Sequence, residues 1–157
     1  MKRTLAVIAL AAVIDVQTLA PSLCAAEALI GTWRLARQEL SGQAGDFEPL
    51  TLQISQAGDR FSFAFSVPIN EIYFVSLTYT VRLDGSAADI KNANGQKIGT
   101  MQMTRGAGQY KFTMKGPGRP ESLGTLTVSA DGKTLVSESD ATQSGRAIHS
   151  KQTFTRY

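Results

Sequence analysis

Few residues of this chain have types and spacings that could do chemistry. Its one histidine, His149, is followed by Ser150, and Asp140 stands on the preceding run of strand-like residues. A Ser–His–Asp system would have to be built from these three, because there is no second histidine. No Gly-x-Ser-x-Gly elbow accompanies them, so an exposed strand histidine is the plainer expectation. Glu138 and Asp140 stand two residues apart on one strand face. Such a pair could hold a hard cation or do acid–base work, although a solvated strand face has the same pattern. Arg82 shares a face with Thr78 and Thr80. Turned inward, that face could grip a ligand carboxylate through the guanidinium fork; a Ser/Thr face more often meets solvent. One Cys and one His exclude a Cys/His zinc or iron–sulfur cluster within a single chain. Gly106-x-Gly108 and Gly116-Pro117-Gly118 precede no helix pattern and read as turns rather than phosphate loops. Catalytic residues, cofactor and metal are therefore not expected, and the chain does not read as an enzyme.

The elements that position side chains begin after a leader. Met1-Lys2-Arg3 is a short basic start, and the apolar run from Leu5 to Ile14 stops at Asp15. That run is far shorter than the roughly 20 residues of a membrane-spanning helix. Small residues follow at Cys24-Ala25-Ala26, completing the pattern of a secretory signal peptide over residues 1–26. The expected mature domain is 27–157, with no transmembrane segment and a secreted or periplasmic destination. Leu23 stands directly before Cys24, where a lipoprotein signal wants a small residue, so a lipid anchor at Cys24 is not expected. If Cys24 leaves with the leader, the mature domain has no thiol in a compartment that permits disulfides. The leader also carries Lys2, Arg3 and Asp15, so the net charge of +3 falls by one on cleavage. No Lys/Arg cluster remains to suggest nucleic acid.

Beyond residue 30 the dominant signal is period-two alternation broken by turn residues. The expected strands are Gly31 to Leu40, Leu50 to Ser55, Phe61 to Val67 (ended by Pro68), Tyr73 to Leu83, Ala88 to Lys91, Gln96 to Thr104, Tyr110 to Lys115, Leu123 to Ala130, Thr134 to Thr142 and Ile148 to Tyr157. Asp84-Gly85, Asn94-Gly95, Asp131-Gly132 and Ser144-Gly145 are hairpin signals between them. No helix pattern follows the leader. Sequential hairpins favour an all-β, up-and-down antiparallel barrel of about eight to ten strands, which removes its edges by closing on itself. A sandwich or an open curved sheet is the alternative.

The two ends of the chain carry the most specific pattern. Gly31-Thr32-Trp33 opens the first strand and Arg156 lies in the last. In a closed meander these strands become neighbours, so Arg156 can lie on the Trp33 face while Gly31 lets backbone pass close to the ring. In Gly31, Trp33 and Arg156 the chain resembles the calycins, the superfamily of lipocalins, fatty-acid-binding proteins and avidins. Asp131-Gly132-Lys133-Thr134-Leu135 is similar to a hairpin of small secreted bacterial lipocalin-like domains. The resemblance implies a lipocalin-like barrel closed by these residues and able to hold a small ligand. The chain departs from fatty-acid-binding proteins in lacking the helix pair that lids them, since Leu40 to Phe47 offers only a Gly-containing loop. Avidin-like biotin ligands are not evident.

Phe61, Phe63, Phe65, Leu77, Tyr79, Met101, Met103, Phe112 and Met114 are the residues expected to line an interior cavity. The same residues, with Leu52, Val81, Leu126 and Val128, could equally fill the barrel as plain core. Two functions follow. A hollow barrel would bind a small apolar or amphipathic molecule. A solid one would be an envelope interaction protein, for example protease-inhibitor-like, acting through the Pro68–Ile72 and Gly116–Pro120 loops.

Overall fold

The computed structural model describes residues 28–118 and 120–157. The expected signal peptide and Cys24 lie outside the described residues, as does Arg119. The strands are β1 (Gly31–Leu40), β2 (Gln43–Ala44), β3 (Thr51–Ala57), β4 (Arg60–Ile69), β5 (Ile72–Arg82) and β6 (Ala88–Asn92). They continue with β7 (Lys97–Arg105), β8 (Tyr110–Lys115), β9 (Ser122–Val128), β10 (Thr134–Gln143) and β11 (Arg146–Arg156). From β3 to β11 each strand pairs antiparallel with the next, β3 pairs with β1, and β1 closes the ring on β11. The two-residue β2 is an appendage on the end of β1. The result is a closed ten-strand meander, as the hairpin signals and alternation require.

Alternation sets the inside and the outside. Leu52, Ile54, Phe61, Phe63, Val81, Met103, Leu135 and Phe154 point inward and are buried. Between them along the strands, Ser62 and Thr80 hydrogen-bond to each other across β4 and β5 at 2.9 Å on the exposed face. Outward charges pair with neighbours, as in Lys151–Glu138 at 2.7 Å and Lys97–Asp89 at 2.6 Å. Such exposed pairs are screened by solvent and contribute little to stability. An apolar interior and polar exterior reverse the polarity of a membrane-spanning barrel. Among the described residues no helix is long and apolar enough to cross a membrane.

Two features of β4 and β5 differ from the simple pattern. Pro68 does not end its strand. It pairs with Tyr73, and the ladder runs on to Ile69–Ile72 around Asn70 and Glu71 (φ 49° and 68°). Positive φ at both central residues makes the tight hairpin turn whose twist matches the strands. Beyond Ser66 this ribbon has lost its β3 partner, and before Leu77 it has no β6 partner, so proline's missing N–H leaves no ladder unmade. The register also slips between Phe65 and Ser66, making Ser76 the extra residue of a β-bulge. The inward run of Leu77, Tyr79 and Val81 therefore does not extend to Val75, which is exposed.

The wall is thinnest between β5 and β6, which share only the pairs Leu77–Asn92 and Thr78–Lys91. Outside this gap lies a polar cleft lined in part by Arg60, Arg82 and Asp89. Arg82 is exposed and paired with Asp59 at 2.8 Å. The face it shares with Thr78 and Thr80 is the outer one, so this set does not form an interior carboxylate grip.

Candidate functional site

One end of the barrel is filled. The segment at residues 28–30 crosses it, and Leu29 is fully buried against the core. The indole N–H of Trp33 donates to the Leu29 carbonyl at 3.0 Å. Trp33 itself is fully buried and pairs with Arg156 across β1 and β11. The Arg156 guanidinium lies 4.3 Å from the Trp33 ring centroid. It donates through Nη1 to the Ile30 carbonyl at 2.8 Å, through Nε to Gly132 at 2.7 Å, and through Nη2 to Ala28. One side chain thus ties the incoming chain, the β9–β10 turn and the closing strands together. Charge-assisted bonds of this kind are about twice as strong as neutral ones.

Gly31 makes the arrangement possible. Its φ is 147°, and a Cβ there would stand 2.5 Å from Nη1 of Arg156. Gly31→Ala is expected to cost about 1–3 kcal/mol of stability, because the backbone is strained and the guanidinium must leave the Ile30 carbonyl. A urea unfolding curve with an unchanged midpoint would contradict this.

The other half of the barrel is hollow. A cavity of about 330 Å³, open at one end, is bounded by inward side chains of β3, β4, β5, β7, β8, β9, β10 and β11. Of the residues expected to line it, Phe65, Leu77, Tyr79, Met101, Phe112 and Met114 do so. Phe61, Phe63 and Met103 lie among the closely packed core, each at most 2% exposed, and do not border the cavity. Phe63 backs it from behind, stacked on the Tyr79 ring at 4.7 Å. Alternation tells inward from outward but not how far along the barrel axis a residue sits, so these three joined the same expected set.

Gly124 helps to keep the space open. It stands opposite Phe112 in the β8–β9 ladder, and a Cβ there would be 2.3 Å from the Phe112 ring and 2.4 Å from the Glu138 carbonyl oxygen. Without a side chain at 124, the ring lies close against the β9 wall.

Sequence reasoning missed one side of the cavity. Leu52 and Leu126, already read as interior, join Leu50 and Phe154 in the apolar lining, while Ser137 and Ser139 of β10 and Gln152 of β11 form a polar stripe that was not expected. Ser137 stands between Leu126 and Gln152 in the ladder, and Gln152 bonds Gln38 of β1 at 3.3 Å. The stripe was hard to see because β10 is polar on both faces: Ser137 and Ser139 point in, Glu138 and Asp140 out. The only available signal was that its other inward residues, Leu135 and Ala141, are apolar.

Leu77 and Met114 belong to both the cavity and an outer recess of about 680 Å³. Ile90, Ile98, Pro117, Pro120 and Ile148 line this recess. The Gly116–Pro120 loop thus contributes Gly116, Pro117 and Pro120 to the mouth of the barrel.

Tyr79 is the cavity's one phenol, and burial pushes its ionisation above the usual tyrosine range. The fold favours the neutral phenol. This contribution is intact below the unfolded value of about 10 and is lost as pH rises through the folded value. In an alkaline titration followed by phenolate absorbance, Tyr79→Phe should remove a late step. An unchanged late step would refute the assignment.

The His149 set lies elsewhere. His149 Nδ1 and Asp140 Oδ1 are 2.8 Å apart across β10 and β11, on the outer surface. Ser150, the next residue, faces the other side of the strand, so no Ser–His–Asp line forms. The carboxylates of Glu138 and Asp140 are each engaged, by Lys151 and His149. Among the described residues no group of three or more His, Cys, Asp or Glu could hold a metal ion.

Packed at its Gly-x-Trp end and hollow at the other, the chain has the fold of a closed ten-strand antiparallel barrel. Two solved structures share it. Zebrafish ileal bile acid-binding protein, crystallised with cholic acid, is 22% identical with a TM-score of 0.59, covering 83% of this chain and 99% of that one. Human cRBP IV is 20% identical with a TM-score of 0.51, covering 82% and 98%. At these identities the likeness establishes the fold. No protein-family model and no curated protein matches the sequence.

Proposed function

We propose that this chain is a binding protein for a small apolar or amphipathic molecule, exported by the signal peptide at residues 1–26 to a secreted or periplasmic location in a bacterium. The observation that carries the reading is the 330 Å³ cavity, with a largely apolar lining, a few convergent polar groups and an apolar recess at its mouth. Ligand sites have this composition and begin at about this size. One structural neighbour supports it, having been crystallised with cholic acid. At ~30 Å³ per water-sized group, the cavity holds roughly eleven non-hydrogen atoms, with more in the recess. Native mass spectrometry of protein purified from its own host should detect a bound small molecule. A neutral solvatochromic dye should bind and be displaced by that molecule. Failure of any apolar compound to bind would reject the reading.

The exposed ribbon tip favours a second reading, an envelope interaction protein. Ile69, Ile72, Tyr73, Phe74 and Val75 are each about half exposed on the projecting β4–β5 hairpin. A pull-down from envelope extract that differs between the wild type and an Ile72→Ser, Phe74→Ser variant would support that reading. Identical partner lists would argue against it.

A further inference from the structure

We infer that the cavity selects a neutral head group, an alcohol or carbonyl read by Ser137, Ser139 and Gln152, and rejects the corresponding carboxylate. The inference rests on the binding reading above. The cavity is bounded by residues from most of the wall, and none of them is charged. The described residues lining the recess at its mouth are uncharged as well. No charged side chain is buried anywhere among the described residues. Of the charges close in sequence to the lining, Arg82, Lys151, Glu138 and Asp140 are turned outward and paired there, and Lys111 and Lys115, beside Phe112 and Met114, are exposed and border neither the cavity nor the recess. An anion entering this space would lose its hydration and meet no counter-charge, which is strongly unfavourable.

A neutral polar group is treated differently. Ser137 and Ser139 lie two residues apart on the inner face of β10, with Gln152 directly opposite Ser137 on β11. The Gln152 amide uses an N–H on Gln38, leaving its carbonyl oxygen available as an acceptor. Neither serine hydroxyl is bonded to another protein group among the described residues, yet no buried polar atom there is left without a partner. The hydroxyls therefore face open cavity space. Two hydroxyls that donate or accept, beside an amide oxygen that accepts, suit a hydroxyl group, which also does both. Ser76 differs, because its hydroxyl already donates to the Phe65 carbonyl at 3.1 Å. Across the cavity the wall is Phe65, Leu77, Met101 and Phe112, which fits the apolar body of the same molecule.

The test compares decan-1-ol with decanoate at pH 8, each displacing a neutral solvatochromic dye from the full mature chain. The alcohol should bind at least about tenfold tighter than the carboxylate. Ser137→Ala combined with Ser139→Ala should weaken the alcohol by about tenfold, the effect of losing two hydrogen bonds. Dye affinity and the unfolding curve, unchanged in that variant, would show that the barrel is intact. Decanoate binding as tightly as decan-1-ol would overturn the inference and leave the binding reading standing. So would an alcohol affinity that does not respond to the double substitution. If neither compound nor the dye binds, the binding reading fails and takes this inference with it.

Discussion

Trp33→Ala should destabilise the barrel by about 3–5 kcal/mol, the usual loss for emptying a large buried aromatic site. Few domains have more than about 5–15 kcal/mol in total, so much of the population would be unfolded under mild stress. Three losses combine. The indole is fully buried in the core, its N–H bond to the Leu29 carbonyl disappears, and Arg156 loses the ring beneath it. Trp33→Phe separates them, since it retains a ring under the guanidinium but removes the N–H. Its cost should be clearly smaller. The measurement is the midpoint of urea unfolding for both variants, with Arg156→Ala as a third arm. Arg156→Ala leaves the carbonyls of Ala28, Ile30 and Gly132 without their donor. Equal midpoints for wild type and Trp33→Ala would mean that this end does not hold the barrel closed.

Ser137→Phe should abolish binding, by at least about a hundredfold, while leaving the fold in place. Ser137 points into the open half between Leu126 and Gln152. A phenyl group there would occupy space that the ligand needs within a volume of only 330 Å³. A hundredfold loss corresponds to about 2.7 kcal/mol of binding free energy. Filling open space differs from overpacking a tight core, so stability should change by less than the roughly 1–3 kcal/mol of an overpacked site. Thr127→Phe is the control, because Thr127 is exposed and lies on the neighbouring strand β9. Dye titration and urea unfolding of both variants decide the matter. Ser137→Phe binding like wild type would place the ligand outside the barrel and direct attention to the β4–β5 ribbon.

Much of this architecture was legible in the sequence. The runs containing Phe61, Phe63 and Phe65, or Met101 and Met103, state their inward faces through alternation, and Asn94-Gly95 and Asp131-Gly132 mark their turns. Local rules suffice there, because a strand with one apolar face has only one way to bury it. They were not sufficient at Pro68, where a strand continues past a proline because the ribbon has already left its neighbours. Nor did they place Val75, which a single bulged residue moves out of the inward run.

The site was less legible than the fold. Six of the expected lining residues border the cavity, but so do Ser137, Ser139 and Gln152, whose strands carry polar residues on both faces. Leu29 was a further omission. Read linearly it belongs to the stretch between the leader and the first strand, yet it caps the filled end and accepts the Trp33 bond.

By itself, then, the sequence determined the strand order, the turns and the two faces of most strands, since alternation and turn chemistry act within a few residues of one another. It also carried the Gly31, Trp33 and Arg156 combination. Only the tertiary structure decided which end of the barrel is packed and which is hollow, and that uncharged serines complete the hollow end. Those properties depend on how ten strands are staggered around the ring, so that side chains distant in the chain meet at one level of the interior.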